Sequence, residues 1–583
     1  MPPSPRPALP RSDLPRQGAL PLLLALVLGL VVLGPALANP LSWLAGDATV
    51  DSHGSWWFQW WVAHALVAGA SPFQADVLFH PWGKDILTHT GGNLLDAAAI
   101  LPVRLAFGPA AAWNALVCGA VVTNALAAGV WARRLGGGLA AVLLAEVLVG
   151  LHPFVLNELA HGRPTQAILA PLLLALAYGD DAMRTGSARA AAASAALLAL
   201  SGWIYWYAAS FGALALCVLA IGRPFGPRLR ALVGIGLGSL LLCAPLVVPL
   251  ALAMANGDVP GLLPLDRWLA GVQDYTNAQG GSVQVSTLSP TGIAGLHSAR
   301  GWAPEGVALG LVGALAVLGA PRRWLAVALL GAAIAVGPFP LGLRNPVYLG
   351  LVAALPPYER LYWPVRAVSL LAAVGVVGIA TALARIPEGR RALVASVVGV
   401  ALVGEVLARG ALPLGRWRPE VPEDVRCVGV DGGAGLVLPY GVDQLPLVWQ
   451  TVLEAPMLNG MAERSASLVP AEQKALRADN GWVRAVLTVP ADPRAEVAWT
   501  EAEKEAVRAL GYRWVVLRPD AMVEDGGRIS ATSRARAARR ALIPLLGAPV
   551  LEREDMSVYA PWGGMDTCRA LGTSPTGASV GLP

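Results

Sequence analysis

Two aspartates stand close together just beyond the first long apolar segment. Asp47 and Asp51 belong to GDATVDSHGSWWFQWWVAHALVAG, which begins at Gly46. A carboxylate held where water meets lipid has the chemistry of a general base, so either residue is a candidate for accepting a proton from a substrate hydroxyl. The competing interpretation is that both are ordinary loop or helix-capping residues. Their close spacing, in an unusually long loop, keeps the catalytic interpretation open.

An aromatic run follows the second aspartate and ends near His64. Tryptophan side chains favour the headgroup zone of a bilayer. The run therefore predicts an amphipathic helix that lies flat on the membrane and holds the two carboxylates at its surface. The aromatic residues are Trp56, Trp57, Phe58, Trp60 and Trp61.

All seven histidines fall in segments that we predict to lie outside the cytoplasm, or at outer helix ends. Histidine suits proton transfer, phosphate contact or metal ligation. No two of them have a recognised metal-ligand spacing, so a divalent metal is the less favoured option and no cofactor is certain. The histidines are His53, His64, His80, His89, His152, His161 and His297.

Two further outer segments carry polar side chains suited to an anionic headgroup. HPFVLNELAHGRPTQ (152–166) places His161, Arg163 and Gln166 near a helix start, where charge and helix dipole favour an anion. PPYERLYWPVR (356–366) places Arg360 and Arg366 at the outer end of a span, where arginine suits a lipid phosphate. The alternatives are interfacial anchoring for the first segment and snorkelling for the second.

The composition indicates which elements must position these residues. The 583 residues are 55% hydrophobic and only 14% charged, and the mean hydropathy is +0.56. These values exclude a soluble enzyme, a disordered chain and a collagen-like chain. The net charge of +5 rests almost wholly on arginine and indicates no nucleic-acid partner.

Long apolar runs predict an α-helical polytopic membrane protein with about eleven transmembrane helices. A twelfth run, 345–356, is too short to span. The predicted spans are 19–38, 110–132, 138–155, 165–179, 190–203, 204–221, 231–253, 304–320, 324–338, 365–384 and 392–411.

Arginines set the predicted orientation. Every second connection is short and arginine-rich, which is typical of cytoplasmic loops. The protein is then a multi-pass protein of the cytoplasmic (inner) membrane, with its C-terminal segment and the long loop 39–109 outside. Ala36-Leu37-Ala38 also fits a signal-peptide cleavage site, but an uncleaved first helix is favoured. The arginines are Arg6, Arg11, Arg16, Arg133, Arg134, Arg184, Arg189, Arg223, Arg228, Arg230, Arg322, Arg323, Arg385, Arg390 and Arg391.

Charged residues become frequent after residue 415, which divides the chain into a membrane domain (1–415) and a C-terminal segment (416–583). Three short apolar stretches alternate with two helical patterns there and predict a small α/β extracytoplasmic domain. Thr500 and Glu503 have the spacing of a capping box. Cys427 and Cys568 are the only cysteines in this domain, and whether they pair stays open. The predicted strands lie in 435–440, 512–519 and 556–562, and the helices in 500–511 and 533–547.

Two carboxylates fall deep inside predicted spans. Glu146 and Glu405 would be costly there unless they are functional or paired. They support a lipid or polysaccharide transporter as the alternative function, although we find no internal repeat. A neutral, hydrogen-bonded glutamic acid within the bundle is the simpler interpretation.

Several short motifs, taken in order, resemble the C superfamily of membrane glycosyltransferases. They begin with Gly46-Asp47, WWVAHAL (60–66) and VLFHPWGKDILTHT (77–90), which contains His89. HPF (152–154), HGRPTQ (161–166), RLYWPVR (360–366) and the VLPY, WQT and LNG elements (437–460) follow. The resemblance covers most of the chain.

The resemblance implies an acidic catalytic base or metal ligand in the first outer loop. By position this is Asp47, with Asp51 as the second acidic group. It further implies an integral-membrane glycosyltransferase that moves a sugar from a polyprenyl-phosphate donor to a glycan, lipid or protein acceptor, with inversion. The phosphate would contact His89, His161, Arg163, Gln166, Arg360 or Arg366. The spacing DATVD lacks an adjacent acidic pair, so whether a divalent metal is held and which aspartate acts both stay open. A non-catalytic cell-envelope assembly protein is the third hypothesis.

Overall fold

The structure is a computed structural model. It describes residues 14–87, 94–256, 316–335, 345–355, 358, 364–408, 412–441, 444–461, 469–518 and 531–573. The helices are α1 (Leu14–Leu33), α2 (Val50–Ala68), α3 (Leu94–Phe107), α4 (Pro109–Arg134), α5 (Leu139–Gly150), α6 (Pro153–Ala160), α7 (Pro164–Ala167), α8 (Ala170–Thr185), α9 (Ala188–Ile204), α10 (Trp206–Ala220), α11 (Phe225–Ala255), α12 (Arg322–Ala335), α13 (Pro346–Ala354), α14 (Ser369–Ala384), α15 (Glu388–Ala408), α16 (Arg426–Asp431), α17 (Leu445–Leu453), α18 (Ala471–Asp479), α19 (Gly481–Thr488), α20 (Glu501–Ala509), α21 (Ala531–Leu546) and α22 (Asp566–Thr573). The strands are β1 (Leu44–Ala45), β2 (Gln74–Ala75), β3 (Lys84–Asp85), β4 (Arg416–Trp417), β5 (Ala434–Leu438), β6 (Tyr512–Leu517), β7 (Leu551–Glu552) and β8 (Ser557–Tyr559).

The chain forms two compact units. The first, which we call the helical unit, comprises Met1–Asp47, Ala99–Leu252 and Leu262–Trp417. The second, the α/β unit, comprises Ala48–Ala98, Ala253–Gly261 and Arg418–Pro583. The segment 39–109, which the sequence predicts to be one outer loop of the membrane domain, is therefore divided between the two units.

Five helices of the described residues are long and apolar enough to cross a membrane, by length and composition. Helices also occupy the other predicted spans apart from 304–320, which lies mostly outside the described residues. The chain is a multi-pass membrane protein, and the number of spans stays a prediction. The five are Gly18–Ala38, Pro109–Arg134, Leu139–Ala160, Phe225–Ala253 and Arg366–Ala384.

Small residues let the helices of the helical unit approach one another closely, as is common in membrane proteins. A Cβ on Gly29 of α1 would lie 2.7 Å from the sulfur of Cys118 in α4. A Cβ on Gly375 of α14 would lie 2.7 Å from Leu148 in α5. By contrast, α11 exposes large apolar side chains such as Leu237 and Leu241, which suit contact with lipid.

The helix predicted over 138–155 is interrupted at His152. Pro153 has no N–H to donate to the preceding turn, so α5 ends and α6 begins at this point. The imidazole of His152 accepts the Phe154 N–H at 3.3 Å and caps the new helix. The interruption places polar groups near the end of an apolar helix.

The α/β unit is built on a four-stranded mixed sheet of order β5-β6-β8-β7. β5 and β6 are parallel, whereas β8 is antiparallel to both of its neighbours. Successive residues of β5 enter opposite cores: Leu436 and Leu438 pack in one cluster, and Val437 in the other. Burial on both faces explains why the strands read as continuous apolar runs in the sequence.

The local predictions for this unit agree with the structure at several points. All three predicted strands are present, and α20 and α21 occupy the predicted helical segments. Thr500 accepts the Glu503 N–H while the Glu503 carboxylate accepts the Thr500 N–H, so the capping box is confirmed. α21 continues through Pro544, in its last turn, to Leu546. Cys427 and Cys568 form a disulfide that joins α16 to α22.

Candidate active site

Helix α4 fixes the segment that leads to Asp47. The side-chain oxygen of Asn114 accepts the Ala45 N–H at 3.0 Å, and its amide nitrogen donates to Trp43 O at 2.8 Å and Pro40 O at 3.0 Å. The indole of Trp113 donates to Ala45 O at 2.9 Å. Two neighbouring side chains therefore hold the backbone of 40–45 against the start of one apolar helix.

Asp47 is half-buried and packs tightly against two other segments of the helical unit. Its N–H donates to Ala160 O at 2.7 Å, at the end of α6. Gly46, with φ +114°, passes so close that an added Cβ would lie 2.9 Å from Leu159 O. Asp47 Oδ1 occupies the position that a Cβ on Gly415 would take. The sequence motif Gly46-Asp47 thus has a steric reason for its glycine.

The turn after α6 places His161 and Arg163 one and three residues from the Asp47 contact. Gly162 has φ +72°, and Arg163 N–H donates back to Glu158 O at 2.8 Å, which closes the turn. His161 Nδ1 lies 2.8 Å from Asn157 O, consistent with a donated hydrogen bond. Asp47 and the 152–166 segment, predicted separately, therefore lie together in the helical unit.

A second buried asparagine of α4 holds the other side of this turn. Asn124 accepts the N–H groups of Leu169 and Ala170 at 2.7 and 2.9 Å, and donates to Ala167 O at 2.7 Å. One helix therefore anchors both the segment before Asp47 and the segment after Arg163.

A cluster of charged side chains is buried beside the turn. Arg163 Nε lies 2.8 Å from Glu158 Oε2, and Arg366 Nη2 lies 3.5 Å from the same oxygen. Glu158 is 2% exposed and Arg366 is 5% exposed. Arg366 Nη1 donates to the Tyr205 hydroxyl at 2.6 Å, and its guanidinium carbon lies 5.5 Å from the Tyr205 ring centre. We call Glu158, Arg163, Tyr205 and Arg366 the arginine cluster.

The cluster can stabilise a phosphate. Guanidinium groups offer several N–H donors in a plane that matches phosphate oxygens, and they stay charged at any physiological pH. Ionic groups buried in an apolar helical unit are costly and usually functional. The half-buried carboxylate of Asp47, close to the same turn, supplies a proton acceptor.

The remaining predicted site residues are Asp51, Gln166, His89 and Arg360. Asp51 is exposed in the first turn of α2 and belongs to the α/β unit. Gln166 is half-buried, and its Oε1 has no hydrogen-bond partner among the described residues. His89 and Arg360 lie outside the described residues.

The interfacial helix predicted from the tryptophans is wrong. α2 is a helix, but four of its aromatic side chains are buried inside the α/β unit, where they pack with Leu78, Phe79 and Leu447: Trp57, Phe58, Trp60 and Trp61. The Trp57 indole donates to Gln450 Oε1, and Trp61 donates to Pro72 O at 3.0 Å. Tryptophan suits a protein core as well as a headgroup zone, and the sequence alone does not distinguish them. The tryptophans of α2 are each less than 6% exposed: Trp56, Trp57, Trp60 and Trp61.

No group of three histidine, cysteine, aspartate or glutamate side chains in the described residues is placed to hold a metal ion. The donor set around Asp47 there does not fit a metal site, and we derive no step through one. Of the two intramembrane carboxylates, Glu146 packs against Gly129 of α4. The side chain of Glu405 lies outside the described residues.

Four residues of this region are not predicted by the sequence motifs: Glu158, Tyr205, Asn114 and Asn124. Glu158 stands in the same 152–166 segment as His161, and an acidic residue so close to an apolar span was a usable signal. The two asparagines are polar residues within the span 110–132, which is also unusual. Tyr205 offered no signal, because aromatic residues are frequent near the ends of membrane helices.

Solved structures of two membrane enzymes have similar folds. The arabinofuranosyltransferase AftD from Mycobacteria matches with a TM-score of 0.58 and 17% identity, over 96% of this chain and 40% of its own. The oligosaccharyltransferase from Archaeoglobus fulgidus, in its apo form, matches with a TM-score of 0.50 and 11% identity, over 88% of this chain and 70% of its own. This chain thus spans about two fifths of the length of AftD. No protein-family profile matches the sequence, and no curated protein matches it.

At identities this low, the similarity to these two structures concerns the fold alone. The chain therefore has a fold similar to those of AftD and of the oligosaccharyltransferase.

Proposed function

We propose that the protein is an integral-membrane glycosyltransferase. It takes a sugar from a polyprenyl-phosphate donor and transfers it to an acceptor outside the cytoplasm. The observation that carries the proposal is the buried arginine cluster next to the turn that binds the backbone of Asp47. The fold similarity to AftD and to the oligosaccharyltransferase gives general support.

The chemistry follows from the residues of the helical unit. The Asp47 carboxylate accepts the proton of the acceptor hydroxyl as its oxygen attacks the anomeric carbon. The bond between that carbon and the phosphate oxygen breaks, and the polyprenyl phosphate leaves with the bonding electrons. Arg163 and Arg366 stabilise the charge that grows on the phosphate. A single displacement inverts the anomeric carbon.

Two further roles are part of the proposal. His161, Gln166, His89 and Arg360 are assigned to the donor phosphate as additional polar contacts. Asp51 is assigned to the second acidic position, and its exposed place on α2 favours Asp47 as the base. The acceptor is a glycan, a lipid or a protein.

The orientation is likewise proposed. The short arginine-rich connections belong in the cytoplasm, which leaves residues 416–583 outside the cytoplasmic membrane as an extracytoplasmic domain. The disulfide between Cys427 and Cys568 supports this side, because disulfides persist mainly in oxidising compartments.

The test compares binding of undecaprenyl phosphate with binding of undecaprenol, using the full chain in nanodiscs of neutral lipid. The two probes differ only in the phosphate. We expect the wild-type chain to prefer the phosphate by at least about tenfold, and Arg163→Gln and Arg366→Gln to lose most of that preference. Equal binding of both probes by the wild-type chain would contradict the proposed donor class.

A second measurement addresses catalysis. Proteoliposomes that contain the full chain and an extracted pool of lipid-linked sugars should transfer sugar to envelope material without an ion gradient. Movement of lipid-linked sugar that depends on a gradient, without transfer, would favour the transporter hypothesis instead.

A further inference from the structure

Glu158 occupies an unusual place in the arginine cluster. It lies on the short helix α6, whereas the two guanidinium groups come from the following turn and from the 3₁₀ turn Pro364–Val368. One carboxylate oxygen, Oε2, approaches both Arg163 and Arg366, at 2.8 and 3.5 Å. This one oxygen therefore contacts two arginines that are about 200 positions apart in the sequence.

Tyr205 supports the second arginine from another direction. It lies between α9 and α10 and is 9% exposed. Its hydroxyl accepts from Arg366 Nη1 while its ring lies beneath the guanidinium. Arg366 is thus oriented by Glu158 through one terminal nitrogen and by Tyr205 through the other.

Orientation matters because arginine side chains are long and lose considerable rotamer entropy when a ligand orders them. Guanidinium groups that are already fixed pay less of this cost when a phosphate arrives. Burying a carboxylate between the arginines is expensive in itself, and that expense points to a role beyond stability.

We propose that Glu158 is a positioning residue that holds Arg163 and Arg366 in the geometry that receives the donor phosphate, with Tyr205 as the second support of Arg366. The inference rests on the proposed function, because it names the group that organises the phosphate contact of that site.

The proposal predicts the opposite sign from simple electrostatics. Removing the negative charge of Glu158 makes the surroundings more positive, so charge alone would strengthen phosphate binding. Loss of orientation would weaken it. The variant Glu158→Gln, which removes the charge at nearly constant shape, therefore separates the two effects.

The experiment again compares undecaprenyl phosphate with undecaprenol in nanodiscs of neutral lipid. We expect Glu158→Gln to weaken binding of the phosphate about tenfold and to leave binding of the alcohol unchanged, because each charge-assisted contact contributes on that order. Glu158→Asp, which keeps the charge on a shorter side chain, should recover part of the loss. Tyr205→Phe should weaken phosphate binding about threefold, since Glu158 still orients Arg366.

Asp181→Asn is the matched control. Asp181 pairs with Arg134 and Arg184 in the same helical unit, but outside the arginine cluster. Its removal should leave the preference for phosphate unchanged. Thermal unfolding of every variant identifies any that fail to fold, and Tyr205→Phe then carries the test, because it removes a single hydroxyl.

The outcomes separate the two proposals. If the wild-type chain does not prefer the phosphate, the proposed donor class fails. If the wild-type chain prefers it and both arginine variants lose that preference, but Glu158→Gln and Tyr205→Phe bind as tightly as the wild type or more tightly, the donor class stands and the positioning role of Glu158 is overturned.

Discussion

The helical unit and the α/β unit both bury polar side chains, but they satisfy them in different ways. In the α/β unit, Gln450 and Asn459 are fully buried and bond mainly to backbone groups. Asn459 both accepts from Val437 N, at 2.7 Å, and donates to Val437 O, at 3.0 Å. In the arginine cluster, charged side chains contact one another instead.

This difference separates structural motifs from candidate catalytic ones. Side chains bonded to backbone fix one conformation, and a ligand has little to gain from them. The WQT and LNG motifs are of this kind: Gln450 donates to Val77 O at 2.6 Å, and the backbone of 457–459 runs beside 77–80. The guanidinium groups of the arginine cluster are instead held by Glu158 and Tyr205, and they keep the charge that an anion would need. Motifs that are equally visible in the sequence thus lie in different kinds of surroundings.

The largest effect is expected at Asp47. Asp47→Asn should lower transfer of lipid-linked sugar by about 100- to 10,000-fold, because it removes the general base. Asp51→Asn is the matched comparison and should stay within about threefold of wild type, since Asp51 is exposed in the first turn of α2. Transfer is measured in proteoliposomes, with thermal unfolding as the control for folding. Full transfer activity of both variants would contradict a mechanism in which a first-loop aspartate is the general base.

Loss of the disulfide should destabilise the α/β unit. Cys427→Ser should lower its free energy of unfolding by about 2–5 kcal/mol, because the bond closes a long loop in the unfolded chain. Chemical denaturation of the full chain, followed by tryptophan fluorescence, measures the change. Cys118→Ala, at a thiol of the helical unit, serves as the control. An unchanged unfolding midpoint in Cys427→Ser would show that the bond contributes nothing.

Gln450→Ala tests the structural side of the comparison. It removes the acceptor of the Trp57 indole and one donor to each of two backbone carbonyls, which should cost about 2–4 kcal/mol. Thr451→Ala, at the next and more exposed position, should cost under about 1 kcal/mol. Binding of undecaprenyl phosphate should be unaffected while Gln450→Ala remains folded. A selective loss of phosphate binding in the folded variant would contradict the structural role.

The smallest effect concerns Lys84 of the α/β unit, which is 7% exposed. Burial lowers the pKa of Lys84 from its ordinary value near 10.5 to about 8, opposed by nearby Asp85 and assisted by Lys474. Between pH 8 and 10.5 the unfolded state keeps a proton on Lys84 that the folded state releases. Lys84 therefore makes the fold more stable as pH rises through this range. Below about 8 both states are protonated and the burial penalty is present in full.

Lys84→Met isolates this contribution. The melting temperature of the wild type should gain about 2–4 °C relative to Lys84→Met between pH 7.5 and 9.5, on the order expected for a partial titration. Lys504→Met replaces a lysine elsewhere in the α/β unit and is the control. The difference in melting temperature between Lys504→Met and the wild type should not change over this pH range. A constant difference between Lys84→Met and wild type across that range would rule out a lowered pKa for Lys84.

Much of the local structure could be predicted from residue types. Apolar runs marked helices such as α4 and α14, since a backbone in lipid must satisfy its own hydrogen bonds. The capping box at Thr500 and the three strands of the sheet were equally local. The resemblance to a family rested on the order of several short motifs and not on any one of them.

The site was only partly predictable. His161 and Arg163 could be proposed because they stand in one polar turn. Their relation to Asp47 could not, because it depends on a hydrogen bond to Ala160 across more than 100 positions. The placement of the tryptophans of α2 was predicted wrongly, since an aromatic surface suits either lipid or a protein core.

The sequence by itself determined that the chain is a multi-pass helical protein with a polar C-terminal part, because hydrophobicity and periodicity act locally. Tertiary structure alone decided that Glu158 and Tyr205 join Arg163 and Arg366, and that Asp47 and Asp51 lie in different units. Such convergence depends on which distant segments pack together, and that choice is the sum of many weak contacts that no single residue encodes.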